Sequence, residues 1–363
     1  MKGVLKLGSV AGIKIELHWT FTLLIAWVVF LDLQQGGDLE SSLFNVSLIL
    51  ILFLCVVLHE LGHALTAKKF KIQTQRITLL PIGGVAMLDK MPDKPKQELL
   101  VALAGPAVNV VIALLLLLIV PIKSYLLLEP EEIEQFLNTT GSRSFLFYLF
   151  VANIMLVVFN SIPAFPMDGG RVLRALLAMV MDRVKATNIA ARTGQVFAVI
   201  FFILGLFFNP FLILIALFIF IGAYGENQMV RQTALLEGHK VKEAMLTNIT
   251  LLEPENTVQE VIDILLSGTE KNFIVALNNK IVGILYHKDI LNNSKNRSLE
   301  VNEIMQKEFK TIEDTGELRD IFDLITKEKR NFFAVTQNGN IAGAIDTSNI
   351  GEFILLKNNL IKK

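Results

Sequence analysis

A series of long apolar runs in the first 225 residues limits the fold of this chain more than any other feature. About 20 apolar residues in a helix cross the hydrocarbon core of a bilayer, which is about 30 Å thick. The runs that reach or approach this length are Trp19–Leu33, Leu43–Thr66, Leu99–Ile122, Phe145–Ile162, Gln195–Phe208 and Phe211–Ala223. Only Asn209-Pro210 separates the last two, so they form either a hairpin or one long broken helix. The pattern predicts an integral membrane domain with about six spans.

The charged residues are distributed unevenly between this region and the rest of the chain. Of the 68 charged residues, 37 lie among the 138 residues 226–363. That density of charge is typical of an ordinary soluble domain. The net charge is zero, so bulk electrostatics predict no nucleic-acid partner. The single cysteine, Cys55, excludes an intramolecular disulfide and is expected to be a small buried residue rather than a metal ligand. We expect a membrane domain at 1–225 and a linker at 226–240.

The basic residues between the apolar runs indicate the orientation in the membrane. They are frequent in the N-terminal arm and in the second and fourth connections. They are absent from the first connection, Gln34–Ser42, and few in the third. By the positive-inside rule, both termini of this multi-pass protein are expected in the cytoplasm. The first apolar run is not followed by a small-residue cleavage site, so a removable signal peptide is not expected.

The C-terminal region repeats itself at an offset of 60 residues. Val241–Met245 matches Val301–Met305, and the later strand-like patterns and Gly283 and Gly343 also align. Such duplication predicts two copies of a small α/β unit, at 241–300 and 301–363, packed as a pseudo-symmetric pair. Ligand sensing and dimerisation are equally compatible with this arrangement.

The motif His59-Glu-Leu-Gly-His63 lies at the end of the second apolar run. Two histidines four residues apart share one face of a helix and can bind one metal ion, with Glu60 beside them as a proton acceptor. Ionisable residues at membrane depth are costly and usually functional. The motif predicts a zinc site, although two polar residues capping a helix would be the structural alternative.

Catalytic zinc commonly has three protein ligands and one open position. Asp168 is the candidate third ligand, because Pro163 and Pro166 interrupt the preceding helix and Gly169-Gly170 permit close backbone approach. Irregular backbone at membrane depth is tolerated when it is buried in protein or lines a cavity. Taken alone, the segment would be a simple helix-ending turn. Together the motifs predict hydrolysis by a zinc-activated water, with Glu60 as general base.

The His59-Glu60-His63 motif in the second apolar run and the Asn160…Pro163…Asp168-Gly-Gly motif at the end of the fourth resemble those of the site-2 protease family of intramembrane zinc metalloproteases. The resemblance covers the membrane domain and implies that His59, His63 and Asp168 bind one zinc ion while Glu60 is the catalytic base. It also implies that Asn160 assists substrate or oxyanion binding. Members of this family cleave transmembrane or membrane-associated proteins.

Three further residues of the membrane domain are candidates for substrate binding: Gly83, Gly84 and Asn109. The two glycines lie in a strand-like pattern, Ile77–Leu88, which either forms a simple turn or holds an extended substrate by strand addition. Asn109 and Asn160 have the alternative role of hydrogen bonding between helices.

The 60-residue repeat resembles a tandem pair of CBS domains, which often bind adenosine nucleotides. In the family, a glycine-led stretch ends in an aspartate that contacts ribose. The first repeat keeps that aspartate, Asp289, but has Tyr286 in place of a hydroxyl residue. The second repeat departs from the pattern at both positions, Asp346 and Asn349. A regulatory or homodimerising role requires neither the hydroxyl residue nor the aspartate of the nucleotide-binding pattern.

The sequence therefore predicts an α-helical polytopic membrane domain of about six spans, followed by an α/β tandem CBS pair. The expected function is zinc-dependent intramembrane proteolysis of transmembrane or membrane-associated proteins within the lipid bilayer. The alternatives are a CBS-regulated transporter or channel, a metal-binding scaffold without catalysis, and a protease of soluble chains.

Overall fold

The computed structural model describes residues 3–81, 83–88, 92, 94–120, 142–328 and 331–361. It divides into two compact units, Met1–Gln228 and Met229–Lys363. Most of the third connection between the predicted spans lies outside the described residues. The domain boundaries near 225, 240 and 300 remain predictions.

Five of the described helices are long and apolar enough to cross a membrane. They are α2 (Leu39–Lys69), α3 (Pro95–Leu117), α4 (Ser142–Ser161), α6 (Arg183–Phe207) and α7 (Phe211–Leu236), the last of which continues into the second unit. The first predicted span forms a shorter apolar helix of 15 residues, α1 (Thr20–Gln34). These six elements confirm the predicted helical membrane domain.

The local sequence explains where several of these helices begin and which way they face. Asp38 caps α2 by accepting a hydrogen bond from the Ser41 backbone N–H at 2.9 Å, and Asp182 caps α6 in the same way. The outer faces of the helices are apolar. On α6, for example, Val196, Val199 and Ile203 are exposed, as expected for side chains that contact lipid.

A four-stranded sheet accompanies these helices in the first unit. Its strands are β1 (Val4–Val10), β2 (Ile13–His18), β3 (Thr74–Leu80) and β4 (Gly83–Leu88), in the order β1-β2-β3-β4. β2 and β3 are parallel, whereas the other neighbours are antiparallel. Ile77 and Leu79 of β3 pack in one core with Val57 and Leu61 of α2. The sheet is thereby held against the helix that carries the His-Glu motif.

The second unit contains two three-stranded sheets of the same topology, as the repeat predicted. The first consists of β5 (Leu251–Leu252), β6 (Phe273–Leu277) and β7 (Lys280–Leu285), and the second of β8 (Thr311–Glu313), β9 (Phe332–Gln337) and β10 (Asn340–Asp346). The helices are α8 (Val258–Ser267), α9 (His287–Asn293), α10 (Val301–Ile304), α11 (Leu318–Glu328) and α12 (Thr347–Ile361). The turn at Asn278-Asn279, between β6 and β7, has positive φ at both residues, which asparagine tolerates well.

The two repeats exchange their leading segments. The backbone of Leu246, at the start of the first repeat, pairs with Ala344 of β10 through hydrogen bonds of 2.8 and 3.0 Å. The segment that opens the second repeat pairs in the same way with β7, through Gln306 and Ile284. Val241 is buried in the core of the second repeat, and Val301 in that of the first. Each sheet therefore needs a segment from the other repeat to complete its packing.

Candidate metal centre

Three side chains predicted to bind metal meet inside the first unit. His59 and His63 lie one turn apart on α2, and Asp168 is the first residue of a short helix, α5 (Asp168–Leu177). The two Nε2 atoms are 3.1 Å apart, and each is 3.1 Å from Asp168 Oδ2. All three residues are buried. The other oxygen of the carboxylate, Oδ1, lies 4.0 Å from Arg171 Nη1.

The partner of His63 determines its tautomer. His63 Nδ1 lies 2.7 Å from the backbone carbonyl oxygen of Val101 on α3. A carbonyl oxygen only accepts hydrogen bonds, so Nδ1 carries a proton, and in the neutral imidazole Nε2 then presents its lone pair.

A chain of two buried asparagines determines the tautomer of His59. Asn153 Nδ2 donates to the Leu149 carbonyl at 2.8 Å, which leaves Asn153 Oδ1 to accept from Asn109 Nδ2, also at 2.8 Å. Asn109 Oδ1 therefore faces His59 Nδ1, at 2.5 Å. Because each amide can satisfy this chain in only one orientation, His59 Nδ1 is the donor, and in the neutral imidazole Nε2 is then unprotonated.

With both imidazoles neutral, lone pairs of the two rings and of one carboxylate converge on one point. A cation among the three atoms offsets the repulsion between these lone pairs, and a metal ion fills that role without changing the neutral state of either ring. Zinc bound tetrahedrally at about 2.0–2.1 Å from each ligand would hold these atoms about 3.3 Å apart, close to the observed separation. Gly105 on α3 leaves this space open beside the two imidazoles. A Cβ atom at this position would come within 2.2 Å of His63 Nε2 and 2.7 Å of His59 Nε2. The donor set and the space therefore fit a zinc ion.

The backbone break that was predicted before Asp168 is present, and glycines make it possible. α4 ends at Ser161 and α5 begins at Asp168. A Cβ on Gly169 would lie 2.2 Å from the Ile162 carbonyl oxygen, and one on Gly170 would lie 2.6 Å from backbone atoms of Ala164. Only glycine allows the helix to start this close to the loop before it.

Glu60 lies beside the two histidines on α2 and against the sheet. A Cβ on Gly84 would come within 2.8 Å of Glu60 Cγ. Gly84 belongs to β4, the last strand in the order of the sheet. The neighbouring Gly83 has φ +132°, and no heavy atom of the described residues lies within 4 Å of its Cβ position. The two glycines of β4 thus place backbone that carries no side chain next to the predicted base.

The remaining predicted residues have other surroundings. Asn160 is near the end of α4, and its Nδ2 donates to the Leu156 carbonyl at 3.0 Å. Asn109 is fully buried between His59 and Asn153. Asp289 on α9 accepts a hydrogen bond from Gln306 at 3.2 Å. Cys55 is buried and lies 3.6 Å from Asn153 Nδ2.

Sequence reasoning missed Asn153. An asparagine in an apolar helix is itself a signal, because an unpaired amide is unfavourable in lipid. Its partner on α3 is distant in the chain and could not be read from the sequence.

Comparison with known proteins identifies the family. Residues 47–204 match the model of peptidase family M50, and residues 241–296 match the CBS domain model. A zinc metalloprotease of Methanocaldococcus jannaschii is 35% identical over 349 residues, which are 95% of this chain and 94% of that protein. The chain belongs to peptidase family M50.

Other matches of this M50 protein extend the comparison. Stage IV sporulation protein FB of Bacillus subtilis is 27% identical over 212 residues, or 56% of this chain and 68% of that protein. The solved structure of a site-2 protease from Methanocaldococcus jannaschii is 40% identical, covers 62% of this chain and 95% of that chain, and has a TM-score of 0.45. The M50 protein is a multi-pass membrane zinc metalloprotease of the site-2 protease family with CBS domains.

Proposed function

We propose that this M50 protein is an intramembrane endopeptidase that cleaves transmembrane or membrane-associated proteins, with His59, His63 and Asp168 as its zinc ligands. The observation that supports the ligand assignment is the convergence of the two Nε2 atoms and Asp168 Oδ2 at mutual distances of 3.1 Å. Asn109 and the Val101 carbonyl orient the two imidazoles through Nδ1. Such outer partners fix the ring orientation and raise the basicity of histidine ligands.

When bound, zinc supplies a Lewis acid that polarises a peptide carbonyl and lowers the pKa of a coordinated water to about 7. Glu60 accepts a proton from the attacking water and returns it to the leaving amine nitrogen. Its position against Gly84 supports this role, because a substrate lying along β4 would pass beside the carboxylate.

For the substrate we propose an extended segment that pairs with β4. β4 is paired with β3 on one side and is the terminal strand of the described sheet. Strand addition supplies backbone hydrogen bonds without demanding a particular side-chain sequence. The open space over Gly83 and the lack of a side chain at Gly84 support close approach of a substrate backbone. Asn160 would then stabilise the oxyanion after releasing its hydrogen bond to Leu156.

The location of charged residues supports cytoplasmic N- and C-termini, in accordance with the positive-inside rule. The exchange of leading segments makes the second unit one cooperative body, which suits a regulatory or homodimerising module. Binding of an adenosine nucleotide at Asp289 remains a prediction, to be tested by titrating the purified protein with the nucleotide.

The experiment is cleavage of a tagged single-span protein by the detergent-purified full chain. Glu60→Gln and a zinc chelator are compared with Glu40→Gln, which neutralises a carboxylate at the other end of α2. A new fragment that disappears with Glu60→Gln and with the chelator, but not with Glu40→Gln, is the expected result. A tagged soluble substrate, tested in parallel, should remain uncut.

Two other outcomes would change the assignment. An uncut substrate with one zinc ion per chain would favour the metal-binding scaffold. An uncut substrate and no bound zinc would overturn the proposed metal centre.

A further inference from the structure

A second cluster of charged side chains lies inside the membrane unit, outside the metal centre. Arg174 on α5 is fully buried, and Glu98 on α3 is 2% exposed. Arg174 Nε donates to Glu98 Oε1 at 2.7 Å, and its Nη1 donates to Glu226 on α7. Arg183, at the start of α6, brings Nη2 to 3.4 Å from Glu98 Oε2. Four helices therefore meet at one set of two guanidinium groups and two carboxylates.

The cluster balances its charges, but stability alone gives little reason for it. Removing ions from water carries a large penalty, and well-packed apolar residues often hold helices together equally well. Ionisable residues on membrane-spanning helices, such as Glu98 and Glu226, more often have a function. The position of the cluster in the molecule indicates which function that is.

Arg174 is connected to the chain both after and before the predicted zinc ligand Asp168. It lies on the same ten-residue helix, six residues further along. Its Cζ atom also lies 5.0 Å from the ring centroid of Phe165, three residues before Asp168. A helix this short has little stability of its own, so its neighbours determine its position.

We propose that Arg174 is a positioning residue for the metal centre. Held by Glu98 and Glu226, it fixes α5 and the Phe165 loop so that the Asp168 carboxylate meets His59 and His63. This inference rests on the proposed role of Asp168 as a zinc ligand. Ligand groups have to be held to within about 0.5 Å of their working geometry, and a short helix after a broken loop does not reach that precision unaided.

The test measures zinc affinity of the detergent-purified full chain by competition with a chromophoric chelator. Glu226→Gln keeps an oxygen that accepts a hydrogen bond but removes the charge, and Arg174→Met removes both hydrogen bonds. We expect the zinc dissociation constant to rise about 10-fold for the first variant and about 100-fold for the second, in the range seen when outer partners of metal ligands are lost. Arg174→Lys should recover part of the loss.

Kinetics of peptide cleavage give a second readout. Misplacement of Asp168 should lower kcat while KM stays unchanged, since β4 is untouched. A loss of fold alone would reduce the amount of active protein without changing the zinc affinity of the remainder.

Glu16→Gln is the matched control. Glu16 is also a buried carboxylate, 4% exposed, and its Oε2 lies 3.8 Å from Arg76 Nη1 in the sheet. Its replacement should leave the zinc dissociation constant unchanged. An equal loss of affinity in this control would assign the effect to general destabilisation and overturn the proposal.

The remaining outcomes separate this proposal from the one on which it rests. Wild-type protein without zinc would overturn both. The role of Arg174 alone would be overturned if the wild-type protein binds one zinc ion and the folded Glu226→Gln and Arg174→Met variants bind zinc as tightly as the wild type does. Failure of Glu226→Gln to fold, judged by gel filtration, would assign the cluster to folding and reject positioning.

Discussion

Asn109 and Asn153 are joined by a hydrogen bond of 2.8 Å whose direction is fixed by the Leu149 carbonyl. At one end Asn153 donates to the Leu149 carbonyl, and at the other Asn109 accepts from His59. Two amides on separate helices thereby hold the proton on His59 Nδ1 and leave Nε2 free for a metal. The tautomer of this histidine is thus set two side chains away from the metal centre.

Replacing Asn153 with leucine should therefore weaken zinc binding. Asn109 would lose its acceptor and could rotate its amide group towards His59, which favours the wrong tautomer. We expect about a 10–100-fold rise in the zinc dissociation constant, measured by chelator competition. Asn45→Leu is the control, because the Asn45 amide contacts Asp32 at the other end of α2. Unchanged affinity in Asn153→Leu would contradict the proposed orienting role.

Gly105→Ala should block the metal centre directly. The added Cβ would lie within 2.2 Å of His63 Nε2, so the imidazoles or α3 would have to move. We expect folded protein with less than one zinc ion per chain, measured by atomic absorption after gel filtration. The control is Gly225→Ala, also in a helix of this unit, where the described part of the chain places no heavy atom within 4 Å of the Cβ position. Full zinc occupancy in Gly105→Ala would show that this wall is not rigid.

The three proposed metal ligands, which meet in the structure, could be singled out in the sequence because each signal is local. His59 and His63 share a helix face by their spacing, and Asp168 stands beside proline and glycine residues that interrupt a helix. The partners of these ligands were not predictable in the same way. Asn153 and Arg174 act through residues 44 and 76 positions away, and such pairings depend on how the helices pack.

The sheet shows the same limit. The sequence predicts a strand-like pattern at Ile77–Leu88, around Gly83-Gly84. The N-terminal strands β1 and β2 were not predicted, although Ile13, Ile15 and Leu17 alternate with polar residues. Parallel pairing of β2 with β3 joins segments about 60 residues apart, and no local pattern encodes that contact.

Gly84→Ala should reduce turnover without removing zinc. The added methyl group would come within 2.8 Å of Glu60 Cγ and displace the proposed base. A misplaced base loses much of a contribution that is typically about 10²–10⁴-fold, so we expect kcat to fall at least about 10-fold. The measurement is cleavage of the single-span substrate at saturating concentration, with zinc content determined on the same sample. Normal kcat would place Glu60 outside the reaction or show that β4 yields easily.

The exchanged segments of the second unit lead to a prediction that compares equivalent glycines. At Gly343 a Cβ would lie 2.1 Å from the backbone oxygen of Leu246, whereas at Gly283 it would lie 2.4 Å from the sulfur of Met305. A backbone oxygen held in a bridge cannot move away, but a methionine side chain can. Gly343→Ala should therefore destabilise the unit by about 1–3 kcal/mol, the usual range for overpacking, and Gly283→Ala by less. Pulse proteolysis of the full chain in increasing urea measures both. Equal losses would mean that the Leu246–Ala344 pairing is no more rigid than the Met305 side chain.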